Sequence, residues 1–132
     1  MKPGIPSSWR RMKERYLLVG VHCDTCGHDF FPIRKICPLC RRKGNLSEKR
    51  FNTTGEIYSY TTVHTPPTGF DLRAPYVLAL IKIDSGPTVL GMVEDAKAED
   101  IKIGAKVEQI FRKWLDEDDG GLIHYGFAFR LV

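Results

Sequence analysis

All four cysteines of this 132-residue chain lie between positions 23 and 40. They form two Cys-x-x-Cys pairs, Cys23/Cys26 and Cys37/Cys40, with the ten residues "GHDFFPIRKI" between them. The stretch around them, residues 17–50, has too few apolar side chains for a core of ordinary size, and Gly27, Pro32, Pro38 and Gly44 mark turns in it. Such a segment needs a staple. A Cys-x-x-Cys turn presents two thiolates on one side of a tight loop, and its backbone N–H groups are free to hydrogen-bond the sulfurs. Two such turns facing each other make a tetrahedral S4 cage. Four thiolates leave no open coordination position, so a metal held there is structural: Zn2+ first, with iron chemically possible in the same cage. Disulfide pairing is the alternative, disfavoured in a reducing compartment. The ten-residue gap allows a short hairpin between the two knuckles, and Gly27 can supply a positive φ after the first pair. His22 and His28 flank the site, but four sulfurs already complete it.

Charge divides the chain. Residues 1–50 hold twelve Lys/Arg against four Asp/Glu, and residues 51–132 hold eight against twelve. A basic half and a mildly acidic half suggest two parts with different partners, although a solvated surface also accounts for the charge. No apolar run approaches a membrane span. The first twenty residues lack the apolar h-region of a secretory signal, so a cytoplasmic protein is expected. Three segments are expected: an N-terminal tail and helix (1–18), a metal-binding ribbon (19–50) and a β-domain (51–132). In the first, residues 1–5 read as a loose tail. Ser7 or Ser8 is placed to cap a helix beginning near Trp9. Trp9, Met12 and Tyr16 then fall on one face, for packing on the protein's own body or for docking on a partner.

The remainder has a period near two. Glu56–Thr65 alternates, with Ile57, Ser59, Thr61 and Val63 facing one way and Tyr58, Tyr60, Thr62 and His64 the other. Tyr76–Asp84, Thr88–Val93, Lys106–Trp114 and Leu122–Val132 follow as strands. The last carries Ile123, Tyr125, Phe127, Phe129 and Leu131 on one face. A polar connection, Glu94–Ile103, includes a helical turn, and Asp116–Gly121 is a loop. Five strands in this order suit a Greek-key barrel of the OB type, with an open sheet as the alternative. The fold class is therefore mainly β: an N-terminal helix, a rubredoxin-like zinc ribbon and a C-terminal five-stranded OB-fold barrel.

Four stretches in order, "RYLLVGVHCDTCGHDFFPIRKICPLC", "GEIYSYTTVH", "GFDLRAPYVLALIKIDSGPTVLGMVED" and "IKIGAKVEQIF", resemble the acyl-CoA-associated zinc-ribbon/OB-fold proteins, long known only as a domain of unknown function. The resemblance runs from about Trp9 to Phe129. It implies an accessory subunit that accompanies a thiolase, ketoacyl synthase or thiolase-like aldolase. In an archaeal branch it implies a small subunit joining acetoacetyl-CoA thiolase to HMG-CoA synthase. This chain ends "FAFRLV" where some relatives have a Phe-Arg-Pro-like ending, and its "RRKGN" after the second knuckle is unusually basic.

An acyl-CoA ligand asks for cations near its phosphates and a narrow apolar channel for its pantetheine arm. Tyr58, Tyr60, Thr62 and His64, with Phe70 and Tyr76 at the mouth and Arg73 in the Pro- and Gly-rich loop Thr65–Pro75, are the candidates. Ordinary strand packing is the competing explanation for the aromatics. Trp9, Met12, Tyr16, Arg41, Arg42 and Lys43 are the candidates for docking on a partner enzyme. The alternative function is nucleic-acid binding through the basic ribbon. The barrel is a poor platform for it: "YVLALIKID" and "TVLGMV" hold no aromatic after Tyr76 and a single cation, Lys82. No nucleophile–base pattern or phosphate loop stands out, and His64 and His124 are isolated on strands. A non-catalytic subunit is expected.

Overall fold

The computed structural model describes residues 4–116 and 120–132. Two short helices come first, α1 (Ile5–Arg10) and α2 (Met12–Leu17), in place of the single helix expected from Trp9. Neither Ser7 nor Ser8 caps a helix. Gly4 is the N-cap, and Pro6 occupies the first turn, where its missing N–H has no intrahelical partner to lose. Helical geometry lapses at Arg11 (φ −101°, ψ 8°), and Leu18 ends α2 in the left-handed region (φ 51°). Its side chain is fully buried.

The cysteine-bearing stretch builds a three-stranded antiparallel sheet in the order β2–β1–β3, from β1 (Val19–Cys23), β2 (Asp29–Phe30) and β3 (Leu46–Arg50). The expected hairpin between the two knuckles does not form. β2 turns back on β1 instead, so the first knuckle is itself the hairpin turn, with Val21 opposite Phe30 and His22 opposite Asp29. β3 arrives from beyond the second knuckle and pairs with all of β1, Cys23 opposite Leu46. A glycine at position 20 permits this: a Cβ there would lie 2.3 Å from the Phe30 carbonyl oxygen and 2.5 Å from the Phe51 ring.

The other five strands are β4 (Thr54–Val63), β5 (Tyr76–Ile83), β6 (Thr88–Val93), β7 (Lys106–Asp116) and β8 (Ile123–Leu131). They close into a barrel in the order β4–β5–β6–β8–β7, the arrangement of an OB fold. Closure uses the start of β4, where Thr54, Gly55 and Glu56 face Glu108, Val107 and Lys106. Both Thr54 and Gly55 are in the strand. Gly55 belongs there because a Cβ would sit 2.5 Å from the Lys82 carbonyl oxygen. A 3-10 turn, Ala98–Asp100, supplies the helical turn expected between β6 and β7. Asp118 and its two neighbours in the expected Asp116–Gly121 loop lie outside the described residues.

Alternating strand positions fill the barrel: Ile57, Val77, Ala79, Ile81, Ile83, Val89, Val93, Val107 and Phe129, with Ile101 from the connection. Leu18 and Phe51 belong to the same core, and Phe31 packs edge-on against Phe127 at 5.7 Å between ring centres. The ribbon is therefore anchored in the barrel by three apolar side chains: Leu18 and Phe51, which adjoin each other at one end of the paired strands β1 and β3, and Phe31 from between the knuckles. No helix among the described residues is long and apolar enough to cross a membrane.

Candidate functional site

The four cysteine sulfurs converge within 4.8 Å of one another. Cys23 Sγ is 4.0 Å from Cys40 Sγ, and Cys26 Sγ is 3.7 Å from Cys37 Sγ. Sulfurs about 2.3 Å from a central ion in a tetrahedron stand about 3.8 Å apart, so the geometry fits a metal. A disulfide would need about 2.05 Å. The second knuckle is built by its own backbone. Cys40 N–H donates to Cys37 Sγ (3.3 Å), Arg41 N–H donates to the Cys37 carbonyl (2.8 Å), and Arg41 takes the left-handed conformation (φ 56°) that Gly27 takes in the first knuckle (φ 75°). The Cys23 carbonyl accepts from Gly27 N–H (2.8 Å) in the matching place.

Without an ion these thiols do not ionise alike. The backbone N–H of Cys26, above all, holds Cys23 down at about 6. Burial pushes Cys40 up to about 12. The His28 N–H pulls Cys26 down, but burial and the neighbouring thiols outweigh it and its value rises. A divalent ion supplies the charge that lets all four shed their protons, so metal uptake and proton release are coupled. His22 is engaged elsewhere, with Nδ1 2.7 Å from Asp29 Oδ1.

The seven residues proposed for acyl-CoA do not form one wall. A register shift between Ile57 and Ser59 inserts Tyr58 as an extra residue. Beyond such a bulge the side-chain parity reverses. Tyr60 and Thr62 therefore stand opposite Ala79 and Val77, on the side of Ile57, whereas Ser59 and Thr61 stand opposite Leu80 and Leu78. The expected Tyr58/Tyr60/Thr62/His64 face is thus broken. Thr62, Arg73 and Tyr76 come together with Glu94, Asp95 and Arg112 around a cleft of about 610 Å³. Phe70 and Tyr76, 5.9 Å apart, line a second, apolar hollow of about 260 Å³ with Trp114 and Phe127. Arg73 already has partners: it donates to the Lys113 carbonyl and lies 3.5 Å from Glu94. Its role in the free chain is to fasten the Thr65–Pro75 loop to β7 and to Glu94, the residue after β6.

Of the helical stripe, Tyr16 turns onto the barrel, edge-on to Phe111 at 5.1 Å, and its carbonyl accepts from Gln109 Nε2. Trp9 stays 74% exposed. With Met12, Ile5, Ile123 and Tyr125 it borders a small apolar groove of about 150 Å³. Two exposed apolar residues at the ribbon tip, Ile36 and Leu39, were not singled out from the sequence; the only signal for them is that two aliphatics stand among cations beside a cage whose ligands already fill its interior.

Two family models match this chain in succession: the rubredoxin-like zinc ribbon domain of ChsH2 over residues 11–47, and the C-terminal OB-fold domain of ChsH2 over residues 48–112. A DUF35 domain-containing scaffold protein of Methanocaldococcus jannaschii is 45% identical over 125 residues, 95% of this chain and 89% of that one. Another, from Methanothermobacter thermautotrophicus, is 44% identical over 123 residues, 93% and 92% of the two chains. Among solved structures, an Ltp2-ChsH2(DUF35) aldolase superposes with a TM-score of 0.68 at 25% identity, covering 98% of each chain.

Proposed function

The chain belongs to the DUF35 family of ChsH2-type zinc-ribbon/OB-fold proteins, and from that membership we propose that it is a non-catalytic scaffold subunit docking on a thiolase-like acyl-CoA enzyme. The observation that carries the reading is likeness over 95% of the chain to a protein named as a scaffold. Similarity to the DUF35 chain of an aldolase assembly supports a partner that works on carbon–carbon bonds. The partner is a thiolase-like enzyme, and HMG-CoA synthase is the second body it would join to the first. The scaffold acts in the cytoplasm.

Within this reading the three segments divide the work. Residues 1–18 and 19–50 dock, and residues 51–132 offer the barrel surface beside which acyl-CoA is handled. Zn2+ sits in the cage of Cys23, Cys26, Cys37 and Cys40, with a purely structural role: four thiolates close its coordination. Thr62, Arg73 and Tyr76 at the larger cleft, with Phe70 beside them, take part in holding the ligand's arm. Tyr58, Tyr60 and His64 contribute from the exposed stretch of β4 and the residue after it. Arg73 reaches a phosphate only by giving up Glu94.

Co-expression with thiolase-fold enzymes from the same genome, followed by size-exclusion chromatography, tests the proposal. A stoichiometric complex that turns over acyl-CoA faster or more completely than the enzyme alone is expected. Absence of any complex, or acyl-CoA turnover by the purified chain alone, contradicts it.

A further inference from the structure

The tip of the ribbon carries a pattern that holding a metal does not explain. Residues 34–43 contain Arg34, Lys35, Arg41, Arg42 and Lys43 and no acid. Among the described residues, Lys35, Arg41, Arg42 and Lys43 make no ion pair. Several cations elsewhere do: Lys49 with Asp29, Lys106 with Glu56, Arg112 with Glu94 and Asp95, Arg130 with Glu108. Others, such as Arg50, Lys82 and Lys97, do not, but among the described residues they are not packed into an acid-free run as the tip's are. A divalent ion in four thiolates leaves the cage net negative, which offsets part of the tip's charge and leaves an excess.

Between these cations stand Ile36 and Leu39, 61% and 60% exposed. Ile36 borders a shallow hollow of about 550 Å³ with Cys40, Arg41, Arg42 and Lys43. No acidic residue lines it. The knuckle hydrogen bonds already hold this backbone, so docking orders little of the main chain.

We infer that this tip is a protein-docking surface, and that its partner presents an apolar pocket with an acidic rim. The inference rests on the scaffold reading above and places that pocket on the thiolase-like enzyme. Charge complementarity steers and orients the encounter, while the two aliphatic side chains supply contact that salt does not screen. A nucleic acid fits less well. A single strand asks for aromatic faces on which bases stack, and residues 34–43 contain none. Phosphates gain nothing from an exposed Ile36 and Leu39.

The test compares three full-length chains, wild type, Ile36→Ser/Leu39→Ser and Arg42→Glu/Lys43→Glu. Each is first checked for unchanged metal content, then titrated against the co-purifying thiolase-fold enzyme at two salt concentrations. The account expects the apolar variant to bind at least tenfold more weakly with the wild-type salt dependence. It expects the charge variant to bind at least tenfold more weakly with the salt dependence reduced. Wild-type affinity in both variants overturns the inference and leaves the scaffold reading standing, whereas a wild-type chain that binds no such enzyme overturns both. Tight binding of a fluorescent poly-uridine strand, lost in the charge variant and kept in the apolar one, assigns the tip to nucleic acid instead.

Discussion

Gly44 offers a perturbation of the cage that leaves every ligand in place. It lies four residues after Cys40, and its N–H donates to the Arg41 carbonyl at 3.2 Å. A Cβ added there would come 2.6 Å from Cys37 Cβ and 3.2 Å from Cys40 Cβ. Neither atom is the far end of a flexible side chain; both carry the sulfurs directly. Gly44→Ala must therefore displace one knuckle, and a metal site tolerates ligand shifts of only about 0.2 Å. Overpacking of this kind costs about 1–3 kcal/mol. If the strain falls on the metal-bound state, affinity drops by about 5- to 150-fold, at about 1.4 kcal/mol per factor of ten. The assay is competition with a chromophoric zinc chelator at neutral pH under reductant. Gly104→Ala is the control: unlike Gly44 it sits in the left-handed region (φ 87°), so alanine strains its backbone, but nothing lies within 4 Å of its Cβ. It should lower thermal stability without changing metal affinity. Wild-type zinc affinity in Gly44→Ala, or an equal loss in both variants, would refute the reasoning.

Other consequences are open to measurement. Metal affinity should rise with pH, because thiolates and not thiols are the ligands. Below about pH 6, where Cys23 regains its proton in the metal-free chain, log K should steepen by one further proton, which potentiometric titration reads directly. Phe129→Ala removes a fully buried ring from the barrel and should cost about 3–5 kcal/mol in urea unfolding of the metal-loaded protein. Arg73→Ala should leave metal content unchanged but speed proteolytic cleavage within Thr65–Pro75 severalfold, since its bonds to the Lys113 carbonyl and Glu94 fasten that loop. Trp9→Ala should change stability by less than about 0.5 kcal/mol yet weaken partner capture.

What the sequence made legible depended on whether a short-range pattern carried it. The cage was legible because Cys-x-x-Cys is local chemistry. The barrel strands were legible because burial on one face imposes a period of two. The bulge at Tyr58 was not. Nothing in "GEIYSYTTVH" marks the residue at which β4 slips against β5, and that single insertion rearranged the expected ligand wall. The same holds at Trp114, where a second shift between Lys113 and Leu115 lets the indole lie over Gly126 and donate to the Phe127 carbonyl. Helix capping misled for a related reason: Ser7 and Ser8 are good caps in isolation, but Pro6 fixes the first turn earlier. The ribbon's pairing of β1 with β3 spans more than twenty residues and is set by where the two knuckles meet, which spacing alone does not say. The Leu18 and Phe51 anchors are equally long-range. They read as boundary residues and turn out to belong to the barrel core.

The account stands on an ion that ties the ribbon's two knuckles together where apolar burial is too small to do so. Elemental analysis of protein purified under reductant with no metal added, paired with hydrogen exchange at the β1–β3 amides before and after chelation, tests this most directly. One zinc per chain, and ribbon protection that vanishes on chelation while β5 and β8 stay protected, is the predicted outcome. A metal-free preparation whose ribbon amides exchange as slowly as those of the barrel would contradict it.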